Sequence, residues 1–198
     1  MMNLPQLRDT YISEQEYLEG EKISEIKHEY IDGNVYAMAG ASKNHQRIIA
    51  NLARHLGNYL NGSPCEVFFS DIKVRVDAKK YFYPDVIVVC ENDDEDPYYT
   101  ESPRIIVEVL SSSTRKFDHT LKRQFYQTLP SLEEYILIEQ DFVQVEIYRK
   151  SDAWQSNFYY LGDTVTFQSL DLSLSVAEIY QHVKNDDMQE FLAQVSDA

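Results

Sequence analysis

Two short runs constrain the fold of this chain more than any other feature. Val86-Ile87-Val88-Val89 and Ile105-Ile106-Val107-Glu108-Val109-Leu110 carry one polar residue between them. A strand with one face in water alternates polar and apolar residues, whereas a run without alternation belongs to a strand covered on both faces. Both runs therefore predict central strands of a sheet with layers packed above and below it. Pro84 sits at the edge of the first run, where a missing N–H is tolerated.

The remaining pattern supplies those layers. Ser42 stands as N-cap before Ile48, Ile49, Leu52, Ala53, Leu56, Tyr59 and Leu60, which recur at helical spacing until Asn61-Gly62. A second helix is predicted from Thr114 to Leu129, closed by Pro130. Ser13 with Glu16 forms a capping-box pattern that opens a short N-terminal helix. Asp32-Gly33 divides a β-prone stretch from Ile26 to Ala39 into a hairpin. Further strands are predicted over Glu66–Val76, within Phe82–Cys90 and over Glu134–Glu139. A second hairpin follows over Phe142–Lys150 and Trp154–Leu161, and two short helices from Val176. The expectation is an α/β (mixed α+β) fold, with a central mixed β-sheet flanked by helices and a hairpin added at each end. It forms a single domain, 1–198, with an N-terminal extension over 1–42, a core over 43–141 and a C-terminal extension over 142–198.

Composition narrows the functional classes. The 198 residues carry a net charge of −15, with 33 acidic against 18 basic side chains. Affinity for nucleic acid comes largely from neutralised phosphates, so this charge opposes non-specific gripping of a nucleic acid. The charge is uneven, however. Nine of the 18 Lys and Arg residues lie between Lys73 and Arg123, whereas only Lys184 is basic after Ser151. A local basic rim remains compatible with the whole. The start, Met1 to Thr10, has no apolar core of signal-peptide length, and no run is long enough to span a bilayer. Cys65 and Cys90 show no close or metal-ligand spacing, so no disulfide scaffold is expected and a cytoplasmic, reducing location is. The acidic stretch from Glu91 to Asp96 lacks the glycine and terminal glutamate of a calcium loop.

The chemistry concentrates at three residues. Asp85 opens one apolar strand and Glu108 interrupts the other. A buried carboxylate is costly unless paired, and two on neighbouring strands suggest a shared divalent cation. Lys122 follows Asp118 and precedes Tyr126 at i, i+4, i+8 spacing, so the three share a helical face. A metal with a nearby lysine suits phosphodiester hydrolysis. The metal polarises the phosphate and lowers the pKa of water, and the lysine stabilises developing charge. Spacing alone serves a second reading equally, in which Glu108 and Lys122 form a structural ion pair and Asp85 caps a loop.

The ordered set Tyr83-Pro84-Asp85-Val86, Ile106-Val107-Glu108-Val109-Leu110-Ser111, Thr114, Asp118, Lys122 and Tyr126 resembles the Uma family of restriction-endonuclease-like proteins, within the PD-(D/E)xK nuclease superfamily. Lys27-His28-Glu29-Tyr30-Ile31-Asp32-Gly33, Met38-Ala39-Gly40-Ala41-Ser42 with His45, and Ser131-Leu132-Glu133-Glu134-Tyr135 share the resemblance, which runs from about Glu14 to Trp154. It implies a restriction-endonuclease-like core and a metal-dependent endonuclease, with Mg²⁺ or Mn²⁺ on Asp85 and Glu108. The superfamily lysine would stand at Leu110, so Lys122 matches a version relocated to the next helix. The implied substrate is nucleic acid, DNA first. The alternative is a catalytically silent module that binds nucleic acid or protein through the same fold.

Four residues have weaker claims. His45 reads from its position as a packed or capping histidine, and the resemblance moves it towards lining the site. Glu29 is a solvated strand residue by pattern, and otherwise a further metal ligand or a partner for His45. Asp118 is a first-turn acid favoured by the helix dipole, or an orienter of Lys122. Tyr126 is a packing residue with a polar tip. His28, His55, His119 and His182 share no metal spacing and read as surface or packing residues. The 15 tyrosines, including Tyr98-Tyr99 and Tyr159-Tyr160, suit β-strands or an oligomer surface, and a homodimer is expected.

Overall fold

The protein is described from a computed structural model that covers residues 11–90 and 96–196. The expectations for the N-terminal ten residues and for the acidic stretch over 91–95 fall outside this range.

The N-terminal capping box forms as expected. The Ser13 side chain accepts from the Glu16 backbone, Glu16 reaches back to the Ser13 N–H, and helix α1 runs from Glu14 to Glu21. The hairpin follows as β1 (His28–Ile31) and β2 (Asn34–Ala37). Asp32 and Gly33 between them take φ of 47° and 86°, the pair of positive angles a two-residue hairpin turn needs. Gly33 is also required sterically, because a Cβ there would lie 2.1 Å from the Tyr11 ring. Helix α2 (Lys43–Leu60) starts with the Ser42 hydroxyl accepting the His45 N–H.

The expected strand over Glu66–Val76 is two strands, β3 (Cys65–Phe69) and β4 (Lys73–Asp77). Ser70 between them has φ of 62°, a left-handed kink that lets the chain leave one sheet for another. The same crossing happens in reverse at Tyr83-Pro84-Asp85, between β5 (Lys80–Phe82) and β6 (Val86–Cys90). Proline there has no N–H to give to a ladder. The short β7 (Tyr99–Thr100) precedes β8 (Pro103–Leu110).

Helix α3 spans 115–126 and is not a uniform α-helix. An α turn over Arg115–Phe117 passes into a π segment over Asp118–Lys122 and back to an α turn over Arg123–Tyr126. Then come β9 (Glu134–Glu139), β10 (Val145–Arg149) and β11 (Ser156–Tyr159). A hairpin not foreseen in the sequence, β12 (Thr164–Phe167) with β13 (Leu172–Ser175), precedes α4 (Val176–Ile179) and α5 (Asp186–Ser196).

The main sheet has the order β11-β10-β9-β8-β6-β3, and a smaller sheet the order β2-β1-β5-β4-β7. β8 and β9 are parallel, joined across α3, while β6 and β3 are antiparallel to their neighbours. The two apolar runs thus lie side by side at the centre of the mixed sheet, with Val86 opposite Val107. Alternation along β8 divides its side chains. Ile105, Val107 and Val109 join the core that α2 fills through Ile48, Leu52 and Leu56. Ile106 and Leu110 join a second core with Phe82, Phe117 and Tyr126. Glu108 has the parity of the second set and faces the α3 layer.

The cysteine expectation is corrected. Cys65 and Cys90 are register partners on β3 and β6, with Cα atoms 4.0 Å apart, and form a disulfide. Their 25-residue separation in sequence hides an antiparallel pairing that brings them face to face. Among the described residues no helix is long and apolar enough to cross a membrane.

Candidate active site

Lys122 is the centre of the cluster. It projects from the π segment of α3 and is 5% exposed. Its Nζ lies 2.7 Å from Glu29 Oε1, 3.0 Å from Glu108 Oε1 and 3.6 Å from Asp118 Oδ1. Its fourth neighbour is the Phe82 ring, with the ammonium 5.6 Å from the centroid. Each acid comes from a different element: Glu29 from β1 in the small sheet, Glu108 from β8 in the main sheet, and Asp118 from the helix itself. The π segment sets the local geometry. Its wider turn departs from the regular helix implied by the i, i+4, i+8 spacing, yet Asp118 and Lys122 remain neighbours. Segments of this kind recur at functional sites.

Tyr126 is fully buried and donates its hydroxyl to Glu108 Oε1 at 3.2 Å. Its polar tip is therefore part of the cluster, beyond the packing role its sequence position suggests. Tyr135 donates to the Asp118 carbonyl at 3.0 Å and braces the π segment from β9. Tyr83 N–H donates to Glu29 Oε1 at 3.3 Å. Glu29 reads from its pattern as a solvated strand residue, but it is drawn into the cluster by Lys122, because β1 packs its small sheet over this end of α3.

Asp85 and His45 form a second, more exposed pair. Asp85 Oδ2 accepts the Val109 N–H at 2.7 Å and lies 3.3 Å from His45 Nε2. The carboxylate takes the place of a strand carbonyl just before β6 begins, which ties Asp85 to the strand bearing Glu108. The partner of His45 is thus Asp85, not Glu29. Within 4.0 Å, Lys122 pairs with Glu29, Glu108 and Asp118 but does not reach Asp85. Leu110, at the superfamily lysine position, is 1% exposed and packs in the α3-side core.

The electrostatics follow from burial and crowding. Burial pushes the Glu108 carboxyl well above its ordinary range. Lys122 opposes that shift, while Asp118, Asp85 and Glu29 add to it. Asp118 is pushed up to about 6, again by burial first, with Lys122 and a Thr114 hydrogen bond opposing. Burial alone would lower the Lys122 pKa, but Glu108, Glu29 and Asp118 outweigh it and hold the ammonium well above its usual range. Burial and then the neighbouring acids keep the Tyr126 phenol protonated as a donor. The cluster thus holds a charged lysine and more protons on its acids than isolated carboxylates would keep.

Two buried polar atoms lack a hydrogen-bond partner here, Asp118 Oδ1 and His45 Nδ1. Among the described residues no three His, Cys, Asp or Glu side chains make a ready metal cage. The donor chemistry nevertheless suits a hard cation. Three carboxylates face the Lys122 ammonium and Asp85 is tied to the strand that bears Glu108, and magnesium is commonly held by one or two carboxylates with water and phosphate oxygens completing its shell.

Comparisons with known proteins give the chain a family and a fold. A family model described as "Uma2: Putative restriction endonuclease" matches residues 14–177. The chain belongs to the Uma2 family. All the candidate residues, from Glu29 to Tyr126, lie inside the Uma2 match, which extends beyond the Trp154 limit of the sequence resemblance. Two relatives come from Synechocystis sp. (strain ATCC 27184 / PCC 6803 / Kazusa). "Uncharacterized protein slr1290" is 37% identical over 174 residues, covering 86% of this chain and 92% of that protein. "Uncharacterized protein sll1609" is 40% identical over 139 residues, covering 68% and 78%. In structure, the chain is similar to a crystal structure titled as a "putative nuclease belonging to DUF820" from Anabaena variabilis ATCC 29413. The TM-score is 0.69 at 18% identity, over 87% of this chain and 99% of that one. At that identity the likeness establishes the nuclease-type fold.

Proposed function

We propose that this Uma2 protein is a metal-dependent endonuclease that hydrolyses phosphodiester bonds of nucleic acid, with DNA the first substrate to test. The observation that carries the reading is the buried Lys122 ammonium, 3.0 Å from Glu108, with Asp85 hydrogen-bonded to the strand that bears Glu108. In this reading Asp85 and Glu108 hold Mg²⁺ or Mn²⁺, which when bound polarises the phosphate and lowers the pKa of water. Lys122 is too strongly held in its charged form to serve as a base. It acts as a fixed cation that stabilises charge on the reacting phosphate. Asp118 and Glu29 position that ammonium from two sides. Tyr126 holds Glu108 Oε1 in place. His45, oriented by Asp85, lines the more open side.

A second reading has its own support. Leu110 fills the superfamily lysine position with a buried apolar side chain, and the net charge of −15 disfavours a polyanion. A module that binds without cleaving fits both facts. Nicking of supercoiled plasmid and degradation of single-stranded DNA and RNA, in low salt with Mg²⁺ or Mn²⁺ and an EDTA control, decide between them. The endonuclease reading expects metal-dependent cleavage that Glu108→Ala abolishes. No cleavage of any substrate by the folded wild type would leave the binding module.

A further inference from the structure

A pocket opens one residue away from the acid–lysine cluster. It encloses about 190 Å³ and is lined by Lys22, Lys73, Tyr83 and Tyr98 together with the acids Glu21, Asp71 and Asp96. That volume is smaller than sites for whole drug-sized ligands and suits one compact group. Tyr83 joins the two places. Its backbone N–H binds Glu29, the partner of Lys122, while its ring lines the pocket.

Cations and rings alternate in the pocket wall and just beside it, where Lys27 lies. Lys27 lies 5.7 Å from the Tyr83 centroid, Lys73 lies 5.2 Å from Tyr83 and 5.8 Å from Tyr98, and Lys22 lies 5.7 Å from Tyr98. The nearby carboxylates are already engaged. Glu21 accepts from the Tyr83 hydroxyl and the His28 N–H, Asp71 pairs with Lys27, and Asp96 accepts the Tyr98 N–H. Lys73 is 5% exposed, and its nearest polar side-chain partner is the Tyr83 hydroxyl at 3.4 Å. A buried ammonium with aromatic faces and one long hydrogen bond is poorly compensated. Burial lowers its pKa, with Glu21 and Asp96 opposing. An anion would repair that deficit, and the half-exposed Tyr98 ring beside it offers a flat apolar face.

We propose that this pocket is a subsite for the nucleotide flanking the scissile phosphate, with the neighbouring phosphate on Lys73 and Lys22 and its base stacked on Tyr98. The inference rests on the endonuclease reading and extends it. Basic side chains alternating with aromatic rings are the combination that holds a single strand without reading its sequence. The subsite thus favours a frayed or single-stranded segment beside the cut, with Lys73 and Lys22 as its anion contacts among the lining carboxylates Glu21, Asp71 and Asp96.

The test is fluorescence polarisation of a labelled short single-stranded DNA with the full chain in EDTA, so that binding is read without cleavage. Tyr98→Ala should weaken binding about 5- to 150-fold, the range expected for losing one stacked base, and Tyr98→Phe should restore it. Lys73→Met should weaken binding and reduce the slope of log K against log salt by about 0.7, the share of one phosphate contact on a single strand. Tyr98 is half exposed, so its variants decide the matter if Lys73→Met does not fold. Folded variants that bind within about twofold of wild type overturn the subsite, as does a wild type that binds no strand. Plasmid cleavage with Mg²⁺ on the same proteins separates the two ideas. Cleavage with unchanged variant binding removes the subsite and leaves the endonuclease. The expected binding losses without any cleavage remove the endonuclease and leave the pocket as a nucleotide-binding site of a non-cleaving module.

Discussion

Asp118→Asn is expected to stabilise the protein at neutral pH and to do nothing at acid pH. The carboxyl is 2% exposed, one of its oxygens has no hydrogen-bond partner, and its pKa is pushed from 3.8 to about 6. Unfolded, the group loses its proton near 3.8, and folded it holds that proton to about 6. Between these values the native state binds more protons than the unfolded chain, so stability falls as pH rises through the window. Below it the group is neutral in both states and costs nothing. Above it the full cost applies, about 3 kcal/mol as an upper value, since Asp118 shares its protons with Glu108. Asparagine keeps the shape and removes the titration. Lys122 retains Glu29 and Glu108, so the substitution leaves no ammonium unpaired. Urea denaturation of wild type and variant at intervals from pH 4 to pH 8 measures the difference directly. The two stability curves should lie within about 0.6 kcal/mol of each other at pH 4 and diverge towards about 3 kcal/mol in the variant's favour by pH 7. Parallel curves, or a variant less stable than wild type at pH 7, would refute the claim that Asp118 is held under electrostatic strain.

Lys122→Met removes the shared cation and strands two buried carboxylates, Glu108 and Asp118, and the partly buried Glu29. It should cost about 3–5 kcal/mol at pH 7 by chemical denaturation, less at pH 5, and slow any metal-dependent cleavage ~10²–10³-fold. Mn²⁺ should raise the thermal midpoint of wild type, by the equivalent of about 2.7 kcal/mol at a hundred times its Kd, and Glu108→Gln should lose that gain. Light scattering should report a homodimer at tens of micromolar. β11, an outer strand of the main sheet, exposes Phe158 with Tyr160 just beyond it, and Phe158→Lys should shift the population to monomer.

The sequence by itself determined the elements whose cause is local. The Ser13–Glu16 capping box, the Ser42 cap, the Asp32-Gly33 turn and the unbroken apolar runs of β6 and β8 each depend on residues a few positions apart. Alternation along β8 likewise fixes Glu108 on the side opposite Val107 and Val109, towards whatever layer covers that face. Tertiary structure decided everything that joins residues far apart in the chain. Glu29 meets Lys122 because the chain leaves the main sheet at Ser70 and re-enters it at Pro84, which folds the small sheet over α3. Cys65 meets Cys90 because β3 and β6 pair antiparallel in register. Asp85 turns to His45 and the Val109 N–H while Lys122 gathers the other acids. A charged side chain buried at low dielectric is governed by the nearest opposite charges, and their identity depends on sheet order and packing, which no local spacing encodes.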